Sequence, residues 1–311
     1  MEKFLRRYGT LLALFGLIML FSLLRQNVFC TLRNFLNITQ QIAILMMVAI
    51  GATYILAIAE FDLSLSALVS FVGVLAAGLM VGGMHPFFAV SVALSATLLF
   101  GLLNGVLVAF LRLPSFVTTL AVGTLVSGVT FWYSGGTIIF SGIPKSFTIL
   151  GQGNVGRVPI ASLLMFSLLA LSAYLLTYTT LGKAIYAVGG NETAAWYSGI
   201  RVARVKVIAF LLSALHSGLA GIVLASRLGS AHPTGGGGYL MPSYAAAFLG
   251  TTIFREGEAN IWGTFVGALI MGVLANGLTI LNVPYFLQDI LTGIILIGAL
   301  VLRASRKREE E

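Results

Sequence analysis

Ten apolar runs dictate how this chain meets water. They fall at about 8–25, 38–59, 66–83, 88–111, 116–134, 159–178, 206–227, 240–254, 260–281 and 285–302. A helical crossing takes about 20 such residues, so the runs use most of the 311 and leave only loops and tails. Backbone polar groups in lipid must be satisfied within the segment, which selects helices. The expected fold is all-α and polytopic, with about ten transmembrane helices forming one transmembrane domain over residues 1–311. The third, fifth and eighth runs are short or rich in Gly, Ser and Thr, and are open to tilting, breaking or re-entry.

Charge supports this class. Only 9% of the residues are charged and the mean hydropathy is +1.00, whereas a soluble domain carries about a quarter charged residues. The net charge of +8 would suggest nucleic acid in a soluble protein; here no nucleic-acid partner is expected, and the positions of the charges matter instead. With the N-terminus inside, 13 of the 18 Lys and Arg residues fall on the inner side, including Lys183, Arg201, Arg204 and Lys206. Arg25, Arg33, Lys145, Arg157 and Arg227 fall outside. That asymmetry predicts ten spans, both termini cytoplasmic, and a cytoplasmic tail over 303–311. Phe29 before Cys30 is a poor small-residue cleavage site, so an uncleaved first helix is expected. The single cysteine excludes an internal disulfide.

The longest span free of an apolar run lies at 181–206, between two groups of crossings. Its centre reads as a short helix with Asn191 at the N-cap, Glu192 in the first turn and Gly199 as the stop. Two turns are marginal in water, so this cytoplasmic loop needs a surface to pack against. Gly182-Lys183 lacks the surroundings of a P-loop and reads as a turn; any ATP is bound by another chain.

An internal repeat is visible. The stretch 101–116, GLLNGVLVAFLRLPSF, aligns with 272–286, GVLANGLTILNVPYF, sharing Asn-Gly and Pro-x-Phe. In the ten-span topology the copies run in opposite directions, an inverted repeat of the kind that builds central transport paths. Gly, Asn and Pro also recur by chance at helix ends. The segments 134–160 and 232–242 read as outer loops, the second with a Gly run too flexible for a helix; they either dock a delivery protein or simply connect.

No catalytic constellation appears. Of the ten acids, only Asp289 lies within a run; Glu60, Asp62, Glu192, Glu256 and Glu258 are placed in cytoplasmic loops. His216 reads as a satisfied interhelical group. The neutral polar groups and aromatics suit an uncharged polyhydroxylated solute. Candidate path residues are Asn104, Thr118, Thr119, Phe131, Tyr244 and Asn276. The competing readings are helix-packing glue for Asn104 and Asn276 beside Gly105 and Gly277, and an interfacial aromatic belt for Trp132 and Tyr133. The turn at 61–66 reads as a cap for the next helix through Asp62 or Ser64.

Over nearly its full length the chain resembles the permease subunits of ABC importers for ribose, xylose and related monosaccharides, which include autoinducer-uptake permeases. The stretches that carry the resemblance are Asp62-Leu-Ser, Asn104-Gly105, 114–120, 189–195 with Ser198-Gly-Ile200, 227–231, Trp262-Gly-Thr264 and Asn276-Gly-Leu278. It implies a type II-like ABC importer permease in a bacterial or archaeal cytoplasmic (inner) membrane. Its partners would be an ABC ATPase subunit or tandem ATPase, an extracytoplasmic sugar-binding protein and a second permease subunit, identical or paralogous. No cofactor is expected in this chain, ATP and Mg being bound by the ATPase. The resemblance makes Gly190, Asn191, Glu192, Thr193, Ala194, Ala195, Ser198 and Gly199 the ATPase-coupling helix. Two departures stand out: Ala59-Glu60-Phe61 replaces Gly-Gly-Ile, and Arg255-Glu-Gly-Glu-Ala-Asn260 replaces a Gly-rich loop. The rival class, an ion-gradient-driven secondary transporter, is permitted by the repeat but poorly served by the scarcity of buried acids.

Overall fold

The computed structural model describes residues 2–254 and 257–310. The helices in chain order are α1 (Glu2–Leu24), α2 (Gln26–Phe29), α3 (Leu32–Ala57), α4 (Leu65–Val81), α5 (Pro86–Ala109), α6 (Ser115–Ser134) and α7 (Lys145–Gln152). A two-residue-per-strand hairpin, β1 (Asn154–Val155) and β2 (Val158–Pro159), precedes α8 (Ile160–Tyr178), α9 (Thr180–Gly190), α10 (Glu192–Tyr197) and α11 (Val202–Leu228). Then come α12 (Leu240–Gly250), α13 (Ile261–Ile280) and α14 (Tyr285–Glu310). Each of the ten apolar runs carries a helix. Among the described residues six of them, α3, α5, α6, α8, α11 and α13, are long and apolar enough to cross a membrane.

The core forms around α3, which packs against α11, α13, α12 and α8. From Ile42 to Ala57 every residue of α3 is buried, including Met46, Met47 and Tyr54. Between helices in lipid the hydrophobic effect contributes little, so close van der Waals fit and interhelical hydrogen bonds must hold the bundle. Small residues provide that fit: a side chain at Gly221 of α11 would collide with the Val69 carbonyl of α4.

Several connections differ from their compositional reading. Gly182 and Lys183 lie inside α9, whose N-cap Thr179 accepts from the Gly182 amide at 3.1 Å; the Gly-Lys pair is helical because a cap precedes it. The 134–160 segment is more than loop: α7 is anchored through buried Phe147, and Ser226 of α11 receives the Gly151 amide at 2.7 Å. Gly237–Tyr239 form a 3-10 turn leading into α12. The fifth run is a single unbroken helix, α6, whereas the third and eighth give the short α4 (17 residues) and α12 (11 residues).

The two Pro-bearing stretches have similar local shapes. Each is a helix, a turn and a second helix: α5 to α6 through Pro114, and α13 to α14 through Pro284. In both turns the residue two before the proline has a left-handed backbone, Arg112 at φ 54° and Asn282 at φ 55°.

Candidate functional site

Two groups of chemistry-bearing residues meet at one end of the bundle. The first is α10. Asn191 caps it by accepting from the Ala194 amide at 2.9 Å, and Gly199 ends it at φ 83°. Ala195 alone faces inward; Asn191, Glu192, Thr193, Ala194, Ser198, Gly199 and the preceding Gly190 are exposed. Trp196 and Tyr197 stand beside them, 63% and 78% exposed, with rings 4.9 Å apart. A six-residue helix that keeps two large aromatics in solvent presents an anchoring surface of the kind that dominates protein interfaces. The capping pattern pointed to this helix, but not to its aromatics, which occupy its last turn.

The second group surrounds the turn between α3 and α4. Asp62, expected in a tight cytoplasmic turn, is 1% exposed and enclosed by α6, α11 and α12. Its Oδ1 accepts from the Ser64 amide at 3.0 Å and the Ser64 hydroxyl at 2.6 Å, and its Oδ2 accepts from Ser213 of α11 at 3.0 Å. Ser64 occupies the N-cap position of α4 without a side-chain cap bond. Neither side chain caps α4 as expected: Asp62 instead braces the turn through Ser64 and fastens it to α11 through Ser213. A buried carboxylate needs such donors, since desolvation without them costs several kcal/mol.

The same turn is held from three other sides. The Tyr244 hydroxyl of α12 accepts from the Asp62 amide at 2.8 Å and donates to the Asp62 carbonyl at 3.0 Å. Ser115 and Thr119 of α6 accept from the amides of Phe61 and Leu63. Asn104 of α5 donates to Ser64 at 2.9 Å, and its buried Oδ1 has no partner among the described residues. Thus three candidate path residues, Asn104, Thr119 and Tyr244, converge on one turn. Thr118 neighbours them on α6, its hydroxyl spent on the Pro114 carbonyl. Phe131 lies half-exposed near the far end of α6, and Asn276 pairs with Asn34 of α3 through both amides.

A third element joins the two groups. Lys206 of α11 is 8% exposed, and its Nζ lies 2.8 Å from both Glu60 and Glu192. The first acid precedes the Asp62 turn and the second opens α10. Nothing in the local sequence pairs these three residues; helix packing does. Glu60 stands among the first departure's residues, and Arg255 and Glu256 of the second lie outside the described residues. His216 is satisfied between helices, with Ser172 at 3.1 Å and the Leu212 carbonyl at 2.8 Å. Asp289 is exposed on α14. Among the described residues no group of three or more His, Cys, Asp or Glu side chains is placed to hold a metal.

Comparison with known proteins follows the same lines. Residues 34–300 match the family model described as branched-chain amino acid transport system / permease component. The chain is 36% identical over 304 residues to the ribose import permease protein RbsC of Escherichia coli K12, covering 97% of this chain and 94% of that one. It is 36% identical over 299 residues to the ribose import permease protein RbsC of Bacillus subtilis, covering 96% and 92%. With the D-allose transport system permease protein AlsC of E. coli K12 the identity is 32% over 299 residues, covering 95% and 91%. No solved structure matches the chain.

Proposed function

The chain belongs to the branched-chain amino acid transport system / permease component family, a family of membrane transport permeases, and from that premise we propose that it carries a neutral monosaccharide inward as the permease subunit of an ATP-driven importer. The near-complete alignment with sugar permeases carries this reading. An ATPase subunit docks on α10, whose exposed face and aromatic pair suit a cleft on a partner. A sugar-binding protein delivers the solute at the opposite end, where α7 and the β-hairpin lie. Both termini are cytoplasmic in this reading, because that orientation puts the Lys and Arg excess inside.

Ten spans forming an inverted repeat remain our interpretation of the helices. It is supported by the matched left-handed residues Arg112 and Asn282 in the two Pro-bearing turns. ATP-driven movement of α10 would rock two permease subunits about a central path. We assign Asn104, Thr119 and Tyr244 to that path near its α10 end because they gather at one turn; Thr118, Phe131 and Asn276 belong to it in the same reading but do not join that cluster.

Reconstitution tests the proposal. The purified chain in liposomes, with its ATPase and binding protein, is expected to raise ATP hydrolysis and to carry one of D-ribose, D-allose or L-arabinose in an ATP-dependent manner. Uptake that persists without ATP and collapses with the ion gradient would identify a secondary transporter instead. The family description favours one alternative cargo, a branched-chain amino acid, and competition by L-leucine in the same assay decides between the two.

A further inference from the structure

We infer that Lys206 is the positioning residue through which movement of α10 reaches the buried Asp62 turn. The inference rests on the permease reading above and goes beyond it, since nothing in that reading says how α10 communicates with the bundle interior. By its packing α10 touches its chain neighbours α9 and α11. Lys206 adds a connection of another kind: it bonds Glu192 in the first turn of α10 and Glu60, which is 146 residues away from it in sequence.

The geometry gives this connection a direction. Side-chain exposure is 59% at Glu192, 10% at Lys206 and 18% at Glu60. The bridge therefore runs from the docking surface into the protein, where salt screens it little and the charges interact strongly. Two residues past Glu60, Asp62 is fixed to α11 through Ser213 and to α12 through Tyr244, while Phe61 and Leu63 are fixed to α6. A displacement of Glu192 thus pulls on Lys206, and through Glu60 on a short segment that bonds α6, α11 and α12. An apolar residue at 206 leaves Glu60 half-buried without its cation, and the turn and α10 then move independently.

The test uses the full chain in liposomes with its ATPase and binding protein, reading D-ribose, D-allose or L-arabinose taken up per ATP hydrolysed. Glu60→Gln cuts the bridge on the side away from the docking surface. Its expected result is an uptake-to-ATP ratio lower by about fivefold or more, with ATPase association within about twofold of the wild type. Lys206→Met should behave alike, and Lys206→Arg should restore most of the ratio. An unchanged ratio in Glu60→Gln overturns the inference, as does loss of ATPase association in that variant, which would make the bridge a scaffold for docking. Should a single variant fail to insert, Glu60→Gln/Lys206→Met removes both inner charges and the same ratio decides. When the wild type stimulates hydrolysis but carries none of the three sugars, the extra hydrolysis induced by the binding protein replaces uptake as the readout. A wild-type chain that neither stimulates the ATPase nor carries sugar sinks the permease reading, and the bridge's role with it.

Discussion

Asn34 of α3 and Asn276 of α13 face each other with both amides engaged, Nδ2 to Oδ1 at 3.0 Å in one direction and 3.1 Å in the other. Asn34 also donates to the Phe29 carbonyl at 3.1 Å. Next to the pair, Gly277 admits the ring of Phe21 from α1 against the helix backbone. Asn276→Leu leaves the Asn34 amide short of a partner and should destabilise the fold by about 1–3 kcal/mol. Asn34→Leu/Asn276→Leu should recover part of that loss, because removing both partners costs less than orphaning one. Thermal unfolding in detergent measures both. With Asn34→Leu measured beside them, a double variant whose loss equals the sum of the two single losses would show that the pair contributes nothing as a pair.

Tyr244 spends its hydroxyl on both polar groups of one residue, the amide and carbonyl of Asp62. Tyr244→Phe should cost about 1–3 kcal/mol by leaving the buried amide unsatisfied, and Ser213→Ala, which removes one donor from the carboxylate, about 1–3 kcal/mol. Denaturation of the two variants in detergent gives both values. A neutral Tyr244→Phe would mean that water enters the turn and replaces the hydroxyl.

Ala59 follows α3 at φ 58°, in the left-handed region, while the Glu60 amide bonds back to the Ile55 carbonyl at 3.1 Å. For a residue with a Cβ that conformation costs about 1–2 kcal/mol. Ala59→Gly should therefore raise stability by about 1 kcal/mol, less the entropy that glycine adds to the unfolded chain. A fall in melting temperature would show that the alanine methyl group is gripped by its neighbours.

Trp196 and Tyr197 contribute little to the fold, being largely exposed. Trp196→Ala/Tyr197→Ala should change stability by no more than about 0.5 kcal/mol. On the proposed docking of an ATPase at α10, loss of both rings should nevertheless weaken ATPase association by about 2 kcal/mol or more, measured by titrating the ATPase onto liposomes that hold the chain. Wild-type affinity in this variant would move the docking surface away from α10.

The sequence by itself determined the helical membrane architecture, because long apolar stretches have few ways to satisfy their backbone in lipid. It also determined α10 from Asn191 to Gly199, since caps and left-handed stops act within a few residues of the helix they bound. Local chemistry of that range also makes the two Pro-bearing turns legible at Pro114 and Pro284. It misread Gly182-Lys183 as a turn, since the cap at Thr179 lies outside the motif that drew attention.

Only the tertiary structure decided the fate of the ionisable groups. Asp62 and Glu60 sit in a connection and so read as solvent-facing, yet α6, α11 and α12 close over Asp62 and Lys206 reaches Glu60 from a distant helix. Whether a polar residue lines a path or glues two helices depends on what lies opposite it, which spacing along one helix does not encode. Asn104 and Asn276 show this. Both precede a glycine on an apolar helix, but one keeps a buried oxygen without a described partner while the other is fully engaged with Asn34. Burial and partner choice are properties of packed helices, and packing is a relation between segments that lie far apart in the chain.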